Sequence, residues 1–551
     1  MNRTGRFMSI LIVMLIVVSA GAVLYKYTRS YDVTYDGLGP IVNYQRYLDN
    51  PQNPNWKIGV HHAHPLQLPL LNALRDATSI KEVRRVKTMI GYRNVRSTPD
   101  TRHADPLLPY YNVQIIFGAA GLGLMFLWLL EIAGAFDAAA LLTAMLAFSY
   151  GYWNFTVQLE SYIVPLFFSE CAMFAAWQYY RHGAPWLLPV SGALLAVTVS
   201  CHSAFAGVAP AALILVILRP TTTPRHRRWH ALYLTLAAAM TWVALLAYVA
   251  VQIVGADRFW EWYFYHDVGR QYFSWLHPSF EAALFGPWKL ARNFTWAIQP
   301  ALGLRESLQQ QLWDVRLILP LCGVLLLCSW TGLLVCRLVY RLRQDNAAMR
   351  GLILGMLVWA GLMFVIVVFY RPDAEDPKYF GPLLPPLIML AGVGLYGERR
   401  LSFHAFAVAT LLLTVYMGVT NFYCAFQPRM DPAHNPDRQA AMAMQDSLPH
   451  EHGWIITYNN TTAAWLELYT DEDTYAAVDW VMGTDQAAAL SKSNAAVLLE
   501  ARLREWPPEV RDYFADRHKT RADVQLALDA LIHQINPQAT LEKNGATIRI
   551  R

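Results

Sequence analysis

Five polar clusters interrupt an otherwise apolar chain, and each could do chemistry. Asp36, in Val33-Thr34-Tyr35-Asp36-Gly37, is a carboxylate that could serve as general base on an acceptor hydroxyl or amine. It could equally cap a helix over 38–49, since Asp is a favoured N-cap. His61-His62-Ala63-His64-Pro65 places three imidazoles in four residues, suited to a metal or a phosphate. Adjacent side chains diverge, however, and Pro65 pushes His64 toward extended geometry, so a polar turn before a helix at 66–76 fits as well. Glu160-Ser161-Tyr162 opens an apolar run, where a glutamate either serves a site or simply favours the start of a helix dipole. His202-Ser203 follows an apolar run; its histidine is a pocket residue or a packing residue. Arg371-Pro372-Asp373-Ala374-Glu375-Asp376-Pro377-Lys378-Tyr379 carries cations that could hold a phosphate, or a solvated turn with weak local ion pairs.

A sixth region combines charge with rings. Between 255 and 315, Arg258, His266, Asp267, Arg270, Lys289 and Arg292 are interleaved with aromatic residues such as Trp260, Tyr265, Trp275, Trp288 and Trp296. Such a segment suits an amphipathic stretch lying along a membrane surface. It also suits a sugar ring packed on aromatic faces with its phosphate on arginine.

The elements that must position these groups are membrane spans. Of 551 residues, 55% are hydrophobic, gathered in blocks of about 17–25, the length a helix needs to cross the hydrocarbon core. Eleven spans are expected, at 8–25, 112–133, 136–153, 160–180, 186–202, 204–218, 231–254, 316–338, 351–370, 380–396 and 401–423. The pair at 186–218 could form one hairpin around Cys201-His202-Ser203. The first span ends in Ser19-Ala20-Gly21-Ala22, as a cleaved signal peptide would, although no clean A-x-A site appears. With the N-terminus in the cytoplasm, the basic loops at Arg181, Arg219–Arg228, Arg337–Arg350 and Arg399-Arg400 share one side. The loops 26–111 and 255–315 and the segment 424–551 then lie on the other. That last segment reads as a small α/β domain, with strands at 454–458 and, as an edge, 546–550, and helices at 496–506 and 522–535. The domain division is 1–423 and 424–551.

The six cysteines form neither a disulfide framework nor a zinc spacing, and read as small buried hydrophobes. Together with Asn-x-Thr sites at Asn154 and Asn293, this favours a bacterial inner membrane, with the C-terminal segment periplasmic. No Walker-type phosphate loop, H-E-x-x-H or G-x-S-x-G is present, and nothing points to nucleic acid.

The order of a short first span, a long outer loop with an early acidic residue, ten further spans and an outer C-terminal domain resembles the GT-C integral membrane glycosyltransferases. These use polyprenyl-phosphate or polyprenyl-diphosphate sugars outside the cytoplasm. Thr34-Tyr35-Asp36-Gly37 followed by His64-Pro65 and Pro69-Leu70 resembles the first-loop pattern of the protein O-mannosyltransferase-like branch. Ser149–Trp153 through Gln158-Leu159-Glu160-Ser161-Tyr162 is similar to its W…E-x-Y segment, and Ser200-Cys201-His202 with Pro210 to its N-H…P segment. Asp376-Pro377-Lys378-Tyr379-Phe380 with Leu384-Pro385 is similar to the late-loop pattern of many GT-C enzymes. The chain departs from the branch in lacking paired acidic residues after Asp36 and in placing Cys before His202.

The resemblance implies a polyprenyl-phosphate-linked hexose or pentose as donor, and a lipid, glycan or protein acceptor. Asp36 would act as base in a single inverting displacement, and Glu160 would orient the acceptor or assist a divalent Mg or Mn. Arg371 and Lys378, with Arg258 or Arg270, would neutralise the departing phosphate, while His62, His64, Tyr162, His202 and Tyr379 would line the pocket. Two other readings stand beside it. A transporter or lipid flippase would place ionisable groups at the bilayer midplane, whereas the clusters above sit at the outer mouth. A non-catalytic GT-C-like scaffold would tolerate Asp36→Asn.

Overall fold

The computed structural model describes residues 3–30, 41, 65–77, 107–220, 222–257, 259–260, 280–297, 315–344, 347–370, 377–396, 401–430 and 435, with short stretches beyond 453. The chain forms two compact units. The first comprises Met1–Arg29, His61–Leu71 and Tyr110–Pro428, and the second Ser30–Val60, Asn72–Pro109 and Arg429–Arg551.

The first unit is helical. In chain order come α1 (Arg3–Tyr27), α2 (Gln67–Ala77, entering the second unit at its end), α3 (Leu108–Ala133), α4 (Phe136–Phe148) and α5 (Tyr150–Val157). Next are α6 (Ile163–His182), α7 (Leu187–Cys201) and α8 (Val208–Ile217), then α9 (Pro224–Tyr248) running into a π-helical turn to Val254. The series closes with α10 (Phe280–Phe294), α11 (Val315–Arg343), α12 (Ala347–Tyr370), α13 (Leu384–Leu395) and α14 (Leu401–Asn421). Single turns of 3₁₀ helix, Ser203–Gly207 and Pro377–Leu383, precede α8 and α13.

Six helical stretches among the described residues are long and apolar enough to cross a membrane: Met8–Tyr27, Leu108–Ala133, Pro224–Val254, Ile318–Arg343, Met349–Val368 and Phe403–Arg429. Four more, Phe136–Phe148, Leu187–Cys201, Ser203–Ile217 and Phe380–Leu395, are apolar but shorter. Large apolar side chains face outward on the long ones, among them Ile16, Met240, Leu325 and Val415. In water these stripes would be a severe liability; in hydrocarbon they are the expected surface, and the helices satisfy their own backbone groups there. The interior is built from fully buried rings, notably Trp128, Trp153, Trp177 and Trp359.

Local chemistry decides several boundaries differently from the hydropathy blocks. The expected span 136–153 is two helices. Ser149 turns extended (φ −64°, ψ 137°), and both its N–H and its hydroxyl donate to Leu146 O, at 3.1 and 2.6 Å. That satisfies the end of α4 and lets α5 restart on a new axis, carrying helix to Val157, where a turn over 154–159 was expected. The pair at 186–218 is two helices with a broken corner: α7 stops at Cys201, His202 is extended, and the chain continues through the 3₁₀ turn into α8, with α7 packed mainly on α6 and α9 and α8 mainly on α12 and α6. At the opposite end of the bundle, Thr223 caps α9 by accepting from His226 N, with Pro224 at the first helical position.

Asn421 ties three elements together at the end of α14. Its amide donates to Phe148 O (2.8 Å) and Phe294 O (2.9 Å), and its Oδ1 accepts from Trp296 N (2.8 Å). The end of α10 is thereby fixed beside the α4–α5 break.

In the second unit five strands form one sheet in the order β2-β1-β3-β5-β4. They are β1 (Trp454–Thr457), β2 (Thr474–Ala476), β3 (Ala496–Leu499), β4 (Ala539–Lys543) and β5 (Ala546–Ile550). β1 is parallel to β2 and β3, while β5 runs antiparallel to β3 and β4. Two corrections follow. The stretch 496–499 is a strand rather than the start of a helix, because β1 and β5 recruit its apolar run from both sides. β5 is interior, with β4 at the edge. A helical start at Arg521 is capped reciprocally: Thr520 N donates to Asp523 Oδ2 (2.8 Å), and Asp523 N to Thr520 Oγ1 (3.3 Å).

Candidate functional site

Two of the residues singled out in the sequence, Tyr162 and His202, meet in the first unit, and Glu160 precedes Tyr162 by two residues. Glu160, Tyr162 and His202 are all buried, with 3%, 5% and 8% of their surface exposed. Glu160 does not begin a helix as expected. It lies in the turn between α5 and α6, and α6 opens only at Ile163 after Tyr162. Its backbone explains why: Glu160 N donates to Gln158 O (2.8 Å), and its carbonyl accepts from the Gln114 side chain of α3 (2.8 Å). The helix-dipole account of Glu160 therefore does not apply.

The rings form a continuous stack. Phe155 of α5 lies on Tyr162 with centroids 4.8 Å apart and planes 18° from parallel, and Tyr162 meets the His202 ring at 4.9 Å. His202 Nδ1 accepts from Ala204 N (3.2 Å), which in the neutral imidazole places the hydrogen on Nε2. The ring therefore offers a donor on its other side. Leu66 N donates to Ser200 O (3.0 Å), anchoring the backbone just past Pro65 two residues from His202.

The far end of the stack reaches the late loop. The 3₁₀ turn Pro377–Leu383 carries Lys378 and Tyr379, and it packs on α5, α10 and α12. A Cβ at Gly381 would overlap the Phe155 ring, so only glycine lets this turn seat against the stack. Gly381→Val is expected to lower stability by about 1–3 kcal/mol through overpacking, read as a drop in the thermal aggregation midpoint of the detergent-solubilised protein. The double variant with Phe155→Leu should recover most of that drop; no recovery would mean the contact is not the cause.

A second aromatic group lies beside α10. Tyr150 meets Trp296 at 4.7 Å, Trp153 stacks on Phe426 at 4.4 Å, and the Trp153 indole donates to Thr28 Oγ1 (2.7 Å). The Arg292 guanidinium sits 4.6 Å over Trp296. An amphipathic helix, α10, thus stands within the aromatic loop 255–315, with Pro287 in its interior.

The structure brings Tyr162 and His202 together and sets the 3₁₀ turn that carries Lys378 and Tyr379 against the same stack through Gly381. The side chains of Lys378 and Tyr379, and Asp36, His62, His64, Arg258, Arg270 and Arg371, lie outside the described residues. Sequence reading missed Gln114, Phe155 and Gly381. Gln114 had a signal, a lone amide inside the apolar run Val113–Phe117. Phe155 and Gly381 had none, since only the tertiary contact distinguishes them. Among the described residues no group of three or more His, Cys, Asp or Glu side chains could hold a metal.

The order and apolar character of these elements describe a helical membrane fold. Two solved structures share it across nearly their whole length. ArnT from Cupriavidus metallidurans bound to undecaprenyl phosphate aligns with TM-score 0.56 at 12% identity, covering 100% of this chain and 98% of that one. The same protein in the apo state aligns with TM-score 0.56 at 12% identity, covering 99% and 98%. No protein-family model matches the chain, and no curated protein sequence matches it.

Proposed function

We propose that this protein is an integral membrane glycosyltransferase that moves a sugar from a polyprenyl-phosphate donor to an acceptor on the non-cytoplasmic face. The observation that carries the reading is the buried Tyr162–His202 ring pair, two residues past the buried Glu160, joined through the Phe155 ring to the turn bearing Lys378 and Tyr379. Likeness over the full chain to a fold solved with undecaprenyl phosphate supports the same reading.

In the reaction, the acceptor hydroxyl or amine attacks the anomeric carbon from the face opposite the phosphate. The bond from that carbon to the phosphate oxygen breaks, and configuration inverts. Asp36 takes the acceptor's proton, and the polyprenyl phosphate leaves as an anion held by Lys378 and Arg371, with Arg258 or Arg270. Such a leaving group needs fixed positive charge rather than a strong acid. Glu160 orients the acceptor or assists a divalent Mg or Mn, His202 presents Nε2–H, and His62, His64, Tyr162 and Tyr379 shape the pocket. The basic loops are cytoplasmic, and residues 424–551 form a periplasmic domain of a bacterial inner-membrane protein. Assignment to the protein O-mannosyltransferase-like branch rests on the first-loop, W…E-x-Y and N-H…P patterns alone.

The reading is tested by mass spectrometry of lipid that co-purifies with the detergent-extracted wild-type protein. A polyprenyl phosphate or its glycoside is the expected finding. Its absence even after adding polyprenyl phosphate back would remove the donor class and favour a transporter or a scaffold.

A further inference from the structure

The bundle contains a carboxyl group that the site above does not use. Glu170 lies midway along α6, with none of its surface exposed and with neither carboxyl oxygen hydrogen-bonded. It faces Gly121 of α3, where a Cβ would run into both the Tyr152 hydroxyl and Glu170 Oε2. Those two oxygens therefore occupy the slot that the glycine leaves open.

The neighbouring hydroxyl hydrogens are already committed. Tyr152 donates to Gly118 O (2.9 Å), and Tyr25 of α1 donates to Ala147 O (3.3 Å). The remaining ionisable neighbour is Cys171, the next residue on α6. Among the described residues no Lys, Arg or His pairs with Glu170. Among the described residues an anion at this position would have no donor and no countercharge, a combination that low-dielectric interiors strongly disfavour. A neutral acid avoids the charge, and its O–H can use phenol lone pairs that the tyrosines leave free.

We propose that Glu170 is a proton-binding site in the interior of the helical bundle, held at neutral pH as the uncharged carboxylic acid. A group of this kind also takes apolar carbodiimides. Its proton passes to a carbodiimide nitrogen, its oxygen bonds to the central carbon, and the adduct rearranges to a stable N-acylurea with no atom lost.

The test is infrared spectroscopy of the full-length protein in detergent at neutral pH, comparing wild type with Glu170→Gln. The expected difference is loss of one protonated-carboxyl C=O band, which shifts in D₂O. Loss of a carboxylate band instead would overturn the proposal. Should the variant fail to fold, the wild type decides: treatment with dicyclohexylcarbodiimide and peptide mapping should place an adduct on Glu170. A water-soluble cationic carbodiimide should leave that position unmodified. Adducts confined to other acids would overturn the proposal by this route.

Discussion

Asp36→Asn is expected to lower the turnover of sugar transfer by about 10²–10⁴-fold, the range typical of removing a positioned general base. The substitution preserves size and hydrogen-bonding shape but cannot accept the acceptor's proton. The competing role for Asp36 is a helix N-cap, and Asn caps as well as Asp does. Stability and donor binding should therefore be retained while turnover falls. The two roles separate in one variant: unchanged transfer with Asn would leave Asp36 as a cap and assign the base to another residue.

The second large effect is expected at Lys378. Lys378→Glu reverses a charge on the turn that the ring stack joins to Tyr162 and His202. A single fixed donor facing developing negative charge is worth about 10²–10³-fold in rate, and reversal adds repulsion against a phosphate. We expect the variant to lose both co-purifying polyprenyl lipid and transfer activity. Lipid retained in wild type and variant alike would keep the donor class but move the phosphate elsewhere, with Arg258, Arg270 and Arg371 next in line. Because Lys378 sits three residues before the tightly packed Gly381, the variant's thermal midpoint should be measured alongside. An unchanged midpoint attributes the loss to charge.

The sequence made the membrane helices legible because hydrocarbon imposes a simple rule of length and apolarity. The long exposed stripes of α1, α9, α11 and α14 follow it directly. Breaks inside the apolar blocks were not legible, since Ser149 stops α4 with two bonds to Leu146 O that no hydropathy pattern encodes. Strand β3 was read as helical for a related reason: Ala496–Leu499 is a short apolar run, and its state is set by partners 40 to 50 residues away on either side. In the site, residue type pointed to Glu160, Tyr162 and His202; all three are buried, and the rings of Tyr162 and His202 meet. The glycine and phenylalanine that hold their stack carry no chemistry of their own and so gave no sign. Glu170 was passed over although its signal was plain, a carboxylate inside the apolar run Phe167–Ala176. With it, the ionisable residues are no longer confined to the outer mouth, so that argument against a transporter weakens. The lipid measurement carries the distinction instead.

The corner at His202 has a kinetic consequence. α7 has 15 residues, or about 22 Å of helix, against a hydrocarbon layer of about 30 Å. Under the proposed topology, a helix of that length started at the cytoplasmic surface would place the corner short of the far surface. On the proposed function a lipid-borne substrate would then arrive sideways by two-dimensional diffusion, and its effective concentration would be its mole fraction in the membrane. Adding inert phospholipid at fixed enzyme and donor should slow the reaction, whereas diluting the same vesicles with buffer should leave turnover per enzyme unchanged.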